Sequence, residues 1–220
     1  MLVRFRLSVP DRPGMLGRVA SAIGTSGADI VSVDVLESSS GRALDDVLAQ
    51  IRDANEVDRV RRALLGVSGV QVIAVQHPVP PASGHTELEL LAQVTAQIVS
   101  RQAGAADQGL RTLVDGAPGA LGADWAVLME FAVPHEPGVV IGMSPRCPGA
   151  DHARFATPLR LATVRVGPPH SDDPYAGAAL VPLGSRPLGL LLVREQGPAY
   201  HRAELWRLEQ FGKVVGAALS

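Results

Sequence analysis

The tetrad Asp11, Arg12, Pro13 and Gly14 has residue types and spacing that suit a small-molecule site at the start of a helix. It follows an alternating apolar segment that ends at Pro10. A glycine at a strand-to-helix turn carries no side chain that could block a ligand, and the N–H groups of a first helical turn can bind a carboxylate. A structural turn needs the same residues, so both interpretations stay open.

Other kinds of chemistry find little support. The single cysteine, Cys147, excludes an internal disulfide and a multi-cysteine metal site. The histidines lack the spacing of a metal site, and no nucleotide-binding loop or nucleophile elbow is present. We therefore predict no catalytic residue, no metal and no cofactor. Arg146 beside Cys147 could make the thiol reactive, but an ordinary loop cysteine is the simpler interpretation.

Composition sets the broad class of the protein. Hydrophobic residues make up 46% of the 220 residues and charged residues 19%, which allows a buried core. The net charge of −2 provides no field that would attract nucleic acid or acidic membranes. Charges interrupt the first ten residues, which therefore do not resemble a signal peptide. We expect a cytoplasmic protein with no nucleic-acid or membrane partner.

The first 76 residues predict the order β-α-β-β-α-β. Apolar residues alternate in the strand that ends at Pro10, and Asp11 is predicted to cap the following helix with Pro13 in its first turn. The second strand is predicted to carry Val31, Val33 and Val35 on one face. Two further strands flank a helix that begins at a capping box of Asp53 and Glu56. Asp45 and Asp46 in the third strand could suggest catalysis, but a charged edge strand is the favoured interpretation.

Residues 77–85 contain three prolines and predict a linker, and residues 86–220 predict a second domain. Its first helix is predicted over 86–102 with Leu88 on the buried face, and a second helix over 106–121. Strands are predicted at 123–130 and 139–143, followed by a helix at 152–165 that Pro158 interrupts, a late hairpin, and a final amphipathic helix.

The strand, the tetrad, Met15 and Leu16, and the short helix that ends before Asp29 and Ile30 resemble an ACT domain. This resemblance covers residues 1–76 and implies a ferredoxin-like βαββαβ fold that binds an amino acid or similar small molecule between two paired domains. The ligand-binding residues would then be Asp11, Arg12, Pro13, Gly14, Met15, Leu16, Asp29 and Ile30.

Asp29 stands where that family often has asparagine. An ionised carboxylate accepts hydrogen bonds but donates none, so it would favour a ligand ammonium and repel a ligand carboxylate. Asp29 and Ile30 are predicted to lie next to the tetrad in the fold, where Asp29 would decide which ligand the site accepts.

Residues 86–220 resemble a GAF domain, chiefly in residues 122–128 and in the late hairpin before the final helix. The resemblance implies an α/β/α sandwich with an antiparallel sheet, and gives the whole chain the α+β class. Such domains often hold a small molecule over the sheet, and others serve in dimerisation.

These patterns together predict a non-catalytic regulatory or sensor protein. It would form a homodimer and bind an amino acid or a similar small molecule at an ACT dimer interface coupled to a GAF-like domain. One alternative is a dimerisation scaffold with degenerate pockets. Another is a GAF-based enzyme that uses Cys147.

Overall fold

The protein is described from a computed structural model. It divides into two compact units, Met1–Pro78 and Val79–Ser220. Residues 78–85 of the predicted linker lie outside the described residues. The described residues are 1–77, 86–100, 102–131, 138–150, 164–166, 177–195 and 198–220.

The N-terminal unit has the predicted element order. Its elements are β1 (Leu2–Pro10), α1 (Met15–Thr25), β2 (Asp29–Ser39), β3 (Arg42–Gln50), α2 (Ala54–Leu65) and β4 (Gln71–Gln76). The strands form one antiparallel sheet in the order β2-β3-β1-β4. This is the ferredoxin-like arrangement, and the α+β class is confirmed.

Both helices cover one face of that sheet. Alternate β1 residues such as Phe5 and Leu7 are completely buried, and they join Val19 and Ile23 of α1 and Leu64 of α2 in one apolar cluster. The alternation that predicts β1 therefore marks its buried face correctly. Apolar burial of this kind is the main source of stability in such a unit.

The edge strand β2 departs from its simple pattern. Its pairing with β3 shifts register between Ile30 and Ser32 and again between Val35 and Glu37. Val31 falls in the first irregularity, and both Val31 and Val35 are more than half exposed. An edge strand has a neighbour on one side only, so bulges there disturb less of the sheet.

The predicted start of α2 is confirmed. The Asp53 side chain accepts hydrogen bonds from the N–H groups of Asn55 and Glu56, at 2.8 and 3.1 Å. The Glu56 side chain in turn accepts a hydrogen bond from the N–H of Arg52, at 2.9 Å. Arg52 lies one residue before the cap residue Asp53. These bonds satisfy N–H groups that a helix leaves without partners.

In the C-terminal unit the described elements are two helices, then five strands, then a final helix. They are α3 (Glu87–Ile98), α4 (Ala105–Leu121), β5 (Trp125–Glu130), β6 (Val139–Met143), β7 (Val164–Val166), β8 (Gly177–Pro182), β9 (Leu188–Arg194) and α5 (Arg202–Leu219). Their strands form an antiparallel sheet in the order β6-β5-β9-β8-β7.

The three described helices of this unit share one apolar cluster with one face of the sheet. A second cluster, which includes Trp125 and Leu191, lies on the opposite face. The second helical layer of the predicted sandwich stays a prediction, because residues 151–163 and 167–176 lie outside the described ones. The helix predicted over 152–165 is wrong at its end, where Val164–Val166 is a strand.

Two local predictions fail in α3 and at the third strand of the first unit. Leu88 is 74% exposed, and the buried row of α3 is Leu90, Val94 and Ile98. The third strand, β3, lies between β1 and β2, so Asp45 and Asp46 do not guard an edge. Both aspartates are buried.

Candidate functional site

The turn that leads into α1 is built around the backbone of Gly14. This residue caps the helix with φ 86° and ψ −10°, in the left-handed region that favours glycine. A Cβ placed on Gly14 would meet no atom of the described residues within 4 Å. Conformation rather than crowding therefore explains the glycine, and the space above it is open.

Among the described residues no side chain caps the first turn of α1, and that turn contains no acidic residue. The first α-type bond runs from the N–H of Arg18 to the Gly14 carbonyl, at 3.2 Å. The N–H groups of Leu16 and Gly17 precede that ladder, as expected of a helix start. An uncapped helix start of this kind suits an anion such as a carboxylate.

The prediction that Asp11 caps α1 is wrong. The carboxylate of Asp11 instead accepts a hydrogen bond from the Ser38 hydroxyl, and its N–H donates to the Gly41 carbonyl at 2.9 Å. Asp11 thus ties the turn to the β2–β3 hairpin. The helix begins at Met15, three residues later than an Asp11 cap requires, because Pro13 and Gly14 form the turn.

The predicted ligand-binding residues fall into two groups. Asp11, Arg12, Pro13, Gly14, Met15 and Leu16 lie together at the end of β1; we call these six residues the corner. Within the corner, Met15 is buried in the core, while Leu16 is 46% exposed beside Gly14. The corner therefore offers open backbone and one apolar side chain at the surface.

Asp29 and Ile30 do not lie beside the corner in the same chain, and the expectation that they neighbour it is wrong. Asp29 pairs with Gln50, which pairs with Leu2 at the start of β1. The corner follows Pro10 at the other end of that strand, roughly 26 Å away for eight residues of extended chain. Because α1 carries the chain back across the sheet, β2 starts at the end where β1 starts.

Asp45 and Asp46, adjacent in β3, have opposite environments. Asp46 accepts two hydrogen bonds from the Arg6 guanidinium, each 2.7 Å, in a buried ion pair. Asp45 projects from the other face, opposite Leu7, and its Oδ1 has no hydrogen-bond partner in the described part of the chain. Burial raises the pKa of the Asp45 carboxyl above its ordinary value of 3.8, and the charges of Asp11 and Asp46 raise it further.

The signal for Asp45 was present in the sequence. Val47, Ala49 and Ile51 mark the buried face of β3, and a period of two places Asp45 on that face. The edge-strand interpretation does not account for an acidic residue on the apolar face of the strand.

Cys147 lies elsewhere and is half buried. It packs against the second apolar cluster of the C-terminal unit, and its Sγ donates to the Gly149 carbonyl at 3.6 Å. Across the described ranges, no group of three or more histidine, cysteine, aspartate or glutamate side chains is placed to hold a metal ion. Within the same ranges, no helix combines the length and the apolar character needed to cross a membrane.

The βαββαβ unit with its glycine-started helix matches a known family. Residues 1–74 match the family model of the ACT domain. The prediction of an ACT-like domain in the first third of the chain is thereby confirmed.

Individual relatives are similar to smaller parts of the chain. An NAD-dependent malic enzyme of Geobacillus stearothermophilus is 35% identical over 57 residues, which are 26% of this chain and 12% of that protein. The ACT domain of the GTP pyrophosphokinase of Chlorobium tepidum shows 17% identity and a TM-score of 0.30, over 34% of this chain and 95% of that one. A GAF domain from Pseudomonas syringae pv. tomato shows 15% identity and a TM-score of 0.43, over 60% of this chain and 84% of that one.

Proposed function

We propose that this protein is a non-catalytic regulatory sensor in which two ACT domains pair and bind an amino acid or a similar small molecule at the corner. The observation that carries the proposal is the uncapped start of α1 at Gly14, within residues that match the ACT domain family. Free N–H groups and open space suit a ligand carboxylate there.

A second chain is part of this proposal. Within one chain Asp29 lies at the far end of β1 from the corner, so it can contribute to the ligand only from a partner. Ligand binding would then favour the paired state, and pairing would in turn favour ligand binding. The C-terminal unit, for which we retain the GAF-like assignment, would receive this change in pairing.

Isothermal titration of the full chain with each of the twenty amino acids tests the proposal, with sedimentation velocity on the same samples. We expect one or a few amino acids to bind and to shift the protein towards a dimer. If no amino acid binds and none changes the sedimentation, amino-acid sensing is excluded.

The second candidate is a dimerisation scaffold without a ligand. It is favoured by the exposed apolar side chains of the edge strand β2, Val31 and Val35, which a partner could cover. Dimerisation that is complete without ligand, and weakened by Val35→Lys, would support it. Val33→Lys is not a suitable control because Val33 contacts the core. Ser32→Lys, on an exposed residue of the same strand, is the matched variant.

Catalysis through Cys147 remains the enzymatic alternative, and we propose that it does not occur. Replacement of Cys147 by serine should leave ligand binding and dimerisation unchanged.

A further inference from the structure

The edge strand β6 of the C-terminal unit is apolar along its whole length and largely uncovered. It contains no charged residue, and Val139, Ile141 and Met143 are 63%, 48% and 45% exposed. Among the described strands β6 pairs only with β5, so no described strand lies along its outer side. Natural edge strands often carry charges or proline that prevent pairing with another chain, and β6 has neither.

A cavity of about 210 Å³ lies between β6 and the helix α4. Its apolar lining includes Leu110, Val114 and Leu128. The pairing of β6 with β5 shifts register next to Leu128, which leaves Ile141 without a paired residue, and Ile141 lines the cavity beside Gly142. A Cβ on Gly142 would lie 3.7 Å from Cγ1 of Val114, so the strand passes close to α4 here.

Two side chains of opposite charge, Asp107 and Arg111, complete the lining of this cavity. They lie about one turn apart on α4, and both are exposed. Neither forms an ion pair with any residue in the part of the chain that the structure describes. Ile141, the middle residue of β6, lines the same cavity, so the centre of the strand lies level with this turn of α4.

We propose that β6 pairs with β6 of a second copy of this chain, so that two C-terminal sheets join edge to edge about a two-fold axis. The two strands run antiparallel, with Ile141 opposite the partner's Ile141, and each chain closes the open side of the other's cavity. This inference goes beyond the proposed function, because it concerns the C-terminal unit and requires no ligand.

Charge complementarity identifies the occupant of this edge as a second copy. A two-fold axis at Ile141 makes the two α4 helices antiparallel and level with each other, so Asp107 of each chain faces the partner's Arg111. Because α4 lies mainly over β5, its axis is about three strand spacings, or about 14 Å, from its counterpart. An arginine and an aspartate side chain together span that gap, and two reciprocal ion pairs form.

Exchange of charge between the two helices tests the proposal, with sedimentation equilibrium and no added amino acid. Asp107→Arg places two arginines at the interface, and Arg111→Asp places two aspartates there. Each variant alone should dimerise at least about 10-fold more weakly than the unmodified chain, because the two-fold axis creates each like-charge contact twice. An equal mixture of the two variants should form a heterodimer, because every arginine then faces an aspartate.

The matched control is Arg186→Asp. It makes the same change of charge as Arg111→Asp, on an exposed residue between β8 and β9 that does not line the cavity. This variant should dimerise as the unmodified chain does.

Hydrogen exchange of the unmodified chain tests the backbone pairing. The amides of Val139–Met143 should exchange more slowly in concentrated than in dilute protein, because β6 gains hydrogen bonds on its outer side. Those of Leu188–Arg194 in β9 should not change, since β9 has a strand on each side.

A chain that remains monomeric at about 1 mM overturns the proposal. So does a dimer that neither variant of α4 weakens, or a mixture of the two variants that forms no heterodimer. Should a variant fail to fold, as judged by circular dichroism, the exchange of β6 in the unmodified chain still decides the matter. None of these results bears on amino-acid binding at the corner, because no ligand is present.

Discussion

The helices α1 and α5 both contain glycines, but the space around these glycines is open in α1 and filled in α5. In α5 a Cβ on Gly216 would lie 2.2 Å from the Cα of Gly184, and one on Gly212 would lie 2.4 Å from the Pro182 carbonyl oxygen. In α1 a Cβ on Gly17 would meet no atom within 4 Å in the part of the chain that the structure describes, as at Gly14.

The two helices therefore need glycine for different reasons: close packing explains the glycines of α5 but not Gly17 of α1. Glycine inside a helix costs about 1 kcal/mol relative to alanine. In α5 the close approach of the helix to the β8–β9 hairpin offsets that cost. In α1 no contact among the described residues of the N-terminal unit offsets the cost of Gly17, so we infer that something approaching the helix from outside offsets it. We infer that this is the ligand or the paired chain.

The largest expected effect on stability is in α5, where the glycines are closely packed. Gly216→Ala places a methyl group against backbone that cannot move aside, so we expect a loss of about 2–3 kcal/mol in the free energy of unfolding. Urea denaturation of the full chain, followed by tryptophan fluorescence, measures it, since Trp125 and Trp206 both lie in the C-terminal unit. An unchanged midpoint would mean that α5 does not pack on the hairpin this closely.

The next effect is at Asp45. We expect Asp45→Asn to raise the free energy of unfolding at neutral pH by about 1–2 kcal/mol, because it removes a buried unpaired charge. Asp46→Asn should lower it by about 1.5–2 kcal/mol, because it removes the charge of Asp46 from the buried ion pair with Arg6. Circular dichroism during urea denaturation measures both variants.

The stability gained by Asp45→Asn should depend on pH in a definite direction. Folding raises the pKa of Asp45, so the folded protein binds this proton more tightly than the unfolded chain does. The unfavourable contribution of Asp45 is therefore present above its raised pKa and disappears as pH falls towards 3.8. The advantage of Asp45→Asn should shrink over that interval, and an advantage that grew on acidification would refute the assignment.

The smallest expected effect on stability is in α1, where the space around Gly17 is open. Gly17→Ala should raise the free energy of unfolding by about 0.5–1 kcal/mol, since alanine is the better helix former and the space is empty. The same change should weaken amino-acid binding or dimerisation, measured by titration and sedimentation. A variant that is more stable and otherwise unaltered would show that nothing approaches α1 at Gly17.

Much of the N-terminal fold could be predicted from its sequence, because alternation and capping act locally. The alternation of β1 and the Asp53 cap of α2 both depend on residues close in the chain, and both were predicted correctly. The assignment of Leu88 to a buried face failed because α3 buries the row through Leu90, Val94 and Ile98 instead. A helical pattern with apolar residues on several sides does not by itself specify which side is covered.

The candidate site was harder to predict because its parts meet through topology. The tetrad was found from local turn chemistry, but the separation of Asp29 from it depends on the relative direction of β1 and β2. The burial of Asp45 depends on the position of β3 inside the sheet, which the order of elements alone does not specify. The sequence does carry a signal for Asp45, because this acidic residue falls on the strand face that Val47 and Ala49 mark as buried.

The most direct measurement is a two-dimensional amide NMR titration of the 23.0 kDa chain with each of the twenty amino acids. We predict that a binding amino acid shifts the amide signals of Leu16 and Gly17 strongly, while those of Gly212 and Gly216 in α5 stay in place. If no amino acid perturbs the corner, or if the largest changes lie only in α5, the corner is a structural turn and not a ligand site.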